Sequence, residues 1–269
     1  MKAEFGAMFS DAQAYESYMG RWSRLVAQRF VAWLDVSPGS AWLDVGAGTG
    51  VLTQVILQEG SPAKVVGVDS SPEYIEFASR RIRDDRVEFK VGDAGDFDPE
   101  SPEFDVSVAG LVLNFLPAPQ QAVKKMAQAV RNGGAVTAYV WDYSDKMEMM
   151  RYFWHAAMAI DPAAKEMDTS QRSLICNPDS LRSLFQAVDL RAIEVVPIDI
   201  QAQFKDFDDY WLPFLGAQGS VSSFLRGLND ERRAALRDTL QSQLPITDDG
   251  AISLVARAWA VRGERALSG

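Results

Sequence analysis

The sequence predicts an α/β fold, a doubly wound and mostly parallel sheet of seven strands. Three observations carry that expectation. Apolar runs of strand length alternate with segments of helix length, the pattern of repeated βα units with short connections. Most of those runs are too rich in valine to leave one face in water, as a buried parallel sheet requires. The first run ends in three glycines, "GAGTG" (46–50), at the place where an open α/β sheet binds its ligand.

The elements follow in order. "AWLDVGA" (41–47), "KVVGVDS" (64–70), "VEFKVGD" (87–93), "FDVSVAGL" (104–111) and "GAVTAYVW" (134–141) read as strands. Of these only the third alternates enough for one wet face. "GVLTQVILQEG" (50–60) sets Val51, Leu52, Val55 and Ile56 on one helical face. "SPEYIEFASRRI" (71–82) opens with serine, proline and glutamate, a helix start signal. "APQQAVKKMAQAVRNGG" (118–134) is expected to stop at Asn132 and the two glycines. Further on, "DKMEMMRYFWHAAMAI" (145–160) and "PDSLRSLFQAV" (178–188) read as helices. "LRAIEVVPIDI" (190–200) and "AISLVARAWAVRG" (251–263) read as the sixth and seventh strands, the last expected to run antiparallel. About fifty residues separate them, too many for a hairpin loop. That gap holds "FDDYWLPFLGAQGSVSSFL" (207–225) and the helix-like "NDERRAALRDTLQSQL" (229–244), so 201–250 is expected to form a helical lid, with 144–176 as a second insertion.

Composition narrows the class of function. The chain has 269 residues, 47% hydrophobic and 24% charged, ordinary values for a globular protein. That length is read as one domain, 1–269, with its own core. Cys176 is the single cysteine, which excludes an intrachain disulfide and a Cys-rich zinc site. A net charge of −10 disfavours nucleic acid as partner. The one dense basic stretch, "RRIRDDR" (80–86), is broken by acids and reads as a solvated helix end. No apolar run reaches signal-peptide or membrane-span length, so a cytoplasmic protein without membrane insertion is expected.

The glycine turn decides between ligands. A dinucleotide site carries G-x-G-x-x-G, whereas here the spacing is G-x-G-x-G and Val51 stands at the third dinucleotide position. Asp69 ends the second strand, where a carboxylate can take both hydroxyls of a ribose. Asp93 ends the third and is followed by the small Ala94, with Asp96 as an alternative one short register shift away.

This order of features resembles the class I S-adenosylmethionine-dependent methyltransferases. The resemblance rests on "LDVGAGTG", "VVGVDSSPEYIEFA", "VEFKVGDAGDF", "FDVSVAGLVLNFLP" and "VRNGGAVTAYVWDY", in register over residues 41–143. Within that family it is most similar to small-molecule enzymes such as the quinone-biosynthesis C-methyltransferases. The resemblance implies a Rossmann-like sheet, S-adenosyl-L-methionine as cofactor and a small-molecule methyl acceptor. It implies that Gly46, Ala47 and Gly48 face the aminoacyl part of the cofactor, and that Asp44 supports the loop or the amino group through water. Asp69 would take the ribose hydroxyls, Asp93 the adenine amino group, and Ala94 a ring nitrogen through its N–H. Ser70 and Leu111 would flank the adenine and the sulfur. The opening "YESYMGRWSRLVAQRFVAWL" (15–34) resembles the family's cofactor-covering N-terminal helices, assigned here to 1–36, with Tyr18 and Arg21 closing on the carboxylate. The insertion at 201–250 departs from the family pattern, so the acceptor does not carry over.

Three residues are candidates for catalysis. His155, the single histidine, is a candidate general base, set against the commoner packed or surface histidine. Asp142 and Tyr143 follow the fifth strand directly and are candidate polar contacts to the acceptor. Trp141, Phe153, Trp154, Tyr210, Trp211 and Phe214 are expected to line an apolar pocket or to form the core of the lid. No spacing suggests metal ligands. Two other functions remain: an accessory or regulatory protein that binds the cofactor without turnover, and a nicotinamide-dependent reductase, which the glycine spacing opposes.

Overall fold

The computed structural model describes residues 19–96, 103–168, 174–216 and 220–266. The chain divides into two compact units. One comprises Ser23–Trp141, Leu174–Ile198 and Ala258–Gly269; the other comprises Met1–Trp22, Asp142–Ser173 and Asp199–Arg257.

The first unit holds most of a seven-stranded sheet. After α1 (Arg21–Leu34) come β1 (Ala41–Val45), α2 (Val51–Glu59), β2 (Lys64–Asp69), α3 (Pro72–Arg81), β3 (Val87–Val91) and β4 (Phe104–Gly110). A 3-10 turn at Leu113–Phe115 leads to α4 (Pro119–Ala129) and β5 (Val130–Trp141). The strand order is β3-β2-β1-β4-β5-β7-β6, with β6 (Arg191–Phe204) and β7 (Ile252–Glu264) completing the sheet. β1 to β5 pair in parallel, and β7 runs antiparallel to β5 from Ala135↔Glu264 to Trp141↔Ala258. The valine-rich runs are the central strands: Val65, Val106, Val108, Val136 and Val140 are buried. The third run, with Glu88 and Lys90 exposed, is the edge strand. Pro197 sits in β6 at the opposite edge, where its missing N–H costs the ladder least.

Helix starts follow the expected chemistry. Ser71 caps α3 by accepting the Tyr74 N–H at 3.2 Å, with Pro72 at the first helical position and Glu73 in the first turn. The apolar face of α2 is buried as its spacing requires. One boundary differs. α4 ends at Ala129, and Asn132, Gly133 and Gly134 lie in the head of β5 instead of forming the helix stop. Gly133 N–H donates to Arg265 O and Arg265 N–H to Gly134 O, while Arg131 pairs with Asp105. Pairing with distant residues captures the segment that local signals assign to the helix.

The second unit takes in nearly all of the two insertions. It holds α5 (Glu148–Ile160), α6 (Ala164–Met167), α8 (Phe207–Gly216), α9 (Ser220–Gly227) and α10 (Asp230–Gln243); α7 (Pro178–Gln186) belongs to the sheet unit. Its centre is aromatic. Phe153 lies 5.2 Å from both Trp154 and Phe214, and Tyr210 lies 5.2 Å from Phe204 and 5.1 Å from Phe214. The Tyr210 hydroxyl donates to Met149 O at 2.8 Å. Phe153, Trp154, Tyr210, Trp211 and Phe214 are all buried and make up much of this unit's aromatic core. Among the described residues no helix is long and apolar enough to cross a membrane. No group of His, Cys, Asp and Glu among them could hold a metal ion.

Candidate functional site

The loop after β1 turns on backbone hydrogen bonds. Gly46 N–H and Ala47 N–H both donate to Val68 O, at 2.7 and 3.0 Å, and Gly50 N–H donates to Ala47 O at 2.9 Å. Its glycines do different things. At Gly46, with φ +74°, a Cβ would stand 2.6–2.9 Å from three Val112 side-chain atoms. At Gly50 a Cβ would meet Ile82 at 2.7 Å. Those two are needed for packing. Gly48, with φ +52°, has no atom of the described residues within 4 Å of its Cβ position. The middle glycine alone makes a cradle.

Two carboxylates flank that cradle in sequence and in the sheet. Asp69, ending β2, accepts Gly48 N–H on Oδ2 and Ser71 N–H on Oδ1, both at 2.9 Å. Each oxygen keeps a lone pair for a further donor. Burial pushes its pKa up, against the pull of those two N–H groups. Asp44, next to last in β1, accepts the Thr53 hydroxyl on Oδ2 at 2.6 Å. Its Oδ1 is buried with no hydrogen-bond partner among the described residues. Burial, reinforced by the Asp69 charge, pushes the Asp44 carboxyl up to about 7. After β3, exposed Asp93 accepts Gly95 N–H at 2.8 Å, Ala94 is buried, and the Gln121 amide donates to Gly95 O at 2.9 Å. After β4, Leu111 sits at φ +59°, its N–H on Tyr139 O at 2.8 Å. A left-handed leucine costs about 1–2 kcal/mol, and such strain gathers at ligand sites.

Residues 43–134, the stretch that bears this geometry, match the family model described as "Methyltransferase domain". An arsenite methyltransferase of Halobacterium salinarum is 26% identical over 212 residues, 77% of this chain and 50% of the relative. A chloroplastic 2-methyl-6-phytyl-1,4-hydroquinone methyltransferase of Oryza sativa is 33% identical over 34% of this chain and 26% of its own. The chain thus spans half or less of the length of these curated relatives. The chain carries a class I S-adenosylmethionine-dependent methyltransferase domain. The phosphoethanolamine N-methyltransferase 2 of Haemonchus contortus, solved with S-adenosyl-L-methionine, shares its fold with a TM-score of 0.59 at 17% identity, covering 95% of this chain and 57% of that one.

The cofactor of a methyltransferase domain of this class is S-adenosylmethionine, a zwitterion with a ribose and an adenine, and the residues present fit it. Gly48 offers an open backbone, Asp44 a buried oxygen lacking a donor, and Asp69 two oxygens at a strand end. Asp44, Gly46, Ala47, Gly48, Asp69, Ser70, Asp93, Ala94 and Leu111 all belong to the sheet unit, at the carboxyl ends of β1 to β4. Arg21, Asp142, Tyr143 and His155 belong to the second unit. There Arg21 is paired with Asp209, Nη1 at 3.0 Å from both carboxylate oxygens, and lies over the Trp22 and Phe204 rings at 4.3 and 5.0 Å. Asp209 thus holds the Arg21 guanidinium in this structure. Buried Asp142 closes a turn by accepting Ser144 Oγ at 2.8 Å and Asp145 N–H at 3.1 Å. His155 is exposed on α5 between buried Trp154 and Ala156, the surface alternative to a general base. Tyr143 is half-buried, and Tyr18 lies outside the described residues. Thr53, Val112 and Gln121 are supports that the sequence reading missed. Thr53 had a signal, a hydroxyl on the otherwise apolar face of α2.

Proposed function

We propose that the protein transfers a methyl group from S-adenosylmethionine to a small, apolar or aromatic acceptor. What carries this reading is the pinning of the Gly48 N–H by the Asp69 carboxylate beside an open glycine. That bond fixes the loop and turns a carboxylate towards the strand end at which a ribose is held. In this reading Asp69 takes the ribose hydroxyls on its remaining lone pairs. Gly46, Ala47 and Gly48 face the aminoacyl part and Asp44 the amino group. Asp93 keeps Oδ2 for the adenine amino group, Ala94 gives its N–H, and Ser70 and Leu111 flank the adenine and the sulfur. When bound, the cofactor supplies a methyl group already activated on a sulfonium, so the chain's work is to orient and to exclude water; orientation alone is worth ~7–11 kcal/mol in favourable cases.

The relatives' names speak of arsenite, a hydroquinone and phosphoethanolamine, three unlike small acceptors. That variety fits a domain whose cofactor site is constant and whose acceptor is set elsewhere. We assign that choice to 144–176 and 201–250, as lids on a single domain, and place the protein in the cytoplasm on its lone cysteine. Asp142, given over to a turn, and His155, exposed, favour a second reading in which the cofactor is bound without turnover. Calorimetry tests the first step. S-adenosylmethionine or S-adenosylhomocysteine should bind in the micromolar range, roughly −7 to −8 kcal/mol, and NAD and NADP should not. Tight NAD binding with no response to either adenosyl compound ends the reading. Formation of S-adenosylhomocysteine with a mixed panel of small acceptors then separates enzyme from accessory protein.

A further inference from the structure

The crevice of a doubly wound sheet opens between the two strands from which the chain winds off in opposite directions, here β1 towards β2 and β4 towards β5. β1 and β4 pair as far as Asp44↔Val108. Beyond that pair the turns that leave the two strands meet at Val112, which sits astride Gly46. The point where a Gly46 Cβ would stand lies 2.6 and 2.9 Å from the two γ-carbons of Val112 and 2.8 Å from its Cβ. That fork is stiff, because a residue branched at Cβ has few χ1 choices. The seat beneath it is held from β2, where Val68 O accepts the N–H groups of Gly46 and Ala47 at 2.7 and 3.0 Å.

The chain takes a strained step to bring Val112 there. Leu111 N–H still bonds to β5, on Tyr139 O at 2.8 Å, and Val112 O accepts Phe115 N–H at 2.9 Å to open the 3-10 turn. Between those anchors the direction of Val112 is set by the backbone angles of Leu111, and Leu111 stands at φ +59°. A bulky residue keeps that conformation only where its surroundings over-determine it.

We propose that Val112 is a positioning residue: seated on Gly46, it locks the turn after β4 to the glycine loop and so fixes where Gly48 meets the aminoacyl part of the cofactor, with left-handed Leu111 as the device that delivers it. The proposal rests on the cofactor reading above. Val112 acts through Gly46 and needs no contact of its own with the ligand. Shape matters here more than buried area, since a side chain branched at Cβ grips Gly46 on both sides and one branched further out does not.

The test uses the full chain and starts without a variant. In the ligand-free parent the amides of Gly48, Gly50 and Phe115 should show hydrogen-exchange protection within tenfold of one another, because a clamped corner opens as one unit. A Phe115 amide that differs more than tenfold from both glycines overturns the proposal. Calorimetry with S-adenosylhomocysteine then separates shape from bulk. Val112→Thr keeps the fork and buries a hydroxyl, so it should be less stable in urea yet bind within threefold of the parent. Val112→Leu keeps the apolar bulk and moves the branch outward. It should bind at least tenfold more weakly than Val112→Thr, with Gly48 and Gly50 exchanging at least tenfold faster than in the parent. A smaller gap between the two variants, or a larger loss in Val112→Thr, overturns the proposal and leaves the cofactor reading standing. No binding by the parent overturns both. If Val112→Leu does not fold, the parent's exchange and Val112→Thr still decide.

Discussion

Gly46 and Gly48 stand two residues apart on one turn, yet alanine should act on them differently. Both have positive φ, +74° and +52°, so each substitution carries about 1–2 kcal/mol of left-handed strain. At Gly46 the new methyl also falls 2.6–2.9 Å from three Val112 atoms. Forcing a methyl into packed surroundings adds about 1–3 kcal/mol. Gly46→Ala should therefore lose about 2–5 kcal/mol of stability, and Gly48→Ala only about 1–2. Urea denaturation of both variants measures the difference. Adding Val112→Ala to Gly46→Ala opens the space and should return part of the loss. Binding should follow the opposite order among folded variants: the Gly48→Ala methyl enters the open side of the loop, and affinity for S-adenosylhomocysteine should fall at least tenfold, about 1.4 kcal/mol. If Gly48→Ala is as unstable as Gly46→Ala, or binds as tightly as the parent, the division of labour in the turn is wrong.

Three more outcomes are expected. Asp44 holds more protons folded, at about 7, than unfolded, at 3.8. Its contribution is thus present below pH 4 and lost as pH rises to 7, at about 1.4 kcal/mol per pH unit. Asp44→Asn should remove a slope of about 2–3 kcal/mol between pH 5 and pH 7 in urea denaturation; an unchanged slope refutes the burial argument. Asp69→Ala deprives Gly48 N–H and Ser71 N–H of their acceptor, so it should lower stability by about 1–3 kcal/mol and weaken cofactor binding together; intact binding by calorimetry removes the ribose role. Tyr210→Phe loses the hydroxyl bonded to Met149 O and should cost about 1 kcal/mol in thermal or urea unfolding with affinity unchanged. A change in acceptor KM without loss of stability would instead put Tyr210 in a pocket.

The sheet was legible because its strands are extreme. Val65, Val66, Val68, Val106 and Val108 admit no water on either side, and that alone marks a buried parallel strand. The start of α3 was legible for a local reason, since Ser71, Pro72 and Glu73 act within one turn. The end of α4 was not, because Asn132-Gly133-Gly134 answers to Arg265, more than a hundred residues later. Glycine spacing pointed to a ligand without telling which glycine receives it. That depends on Val112 and Ile82, which pack against two of the three and leave the third open. The strained φ of Leu111 had no sequence signal at all, since leucine is a poor choice for that conformation. The pairing of Arg21 was not legible because its acid, Asp209, sits 188 residues away.

The strand order also has a consequence for how the chain comes off the ribosome. β7 lies between β5 and β6, so β7 is the strand that joins β6 to the rest of the sheet. Until residues 252–264 have emerged, the fourteen residues of β6 have no neighbour to pair with, while β1 to β5 already have theirs. The growing chain must carry that unpaired edge through the synthesis of residues 205–251, α8 to α10 among them, a period of about 2–9 s at 5–20 residues per second. Pairings that span so much sequence form slowly, and an open edge is a template for other chains. Pro197, in the middle of β6, is a blemish in the ladder that makes a waiting strand less adhesive.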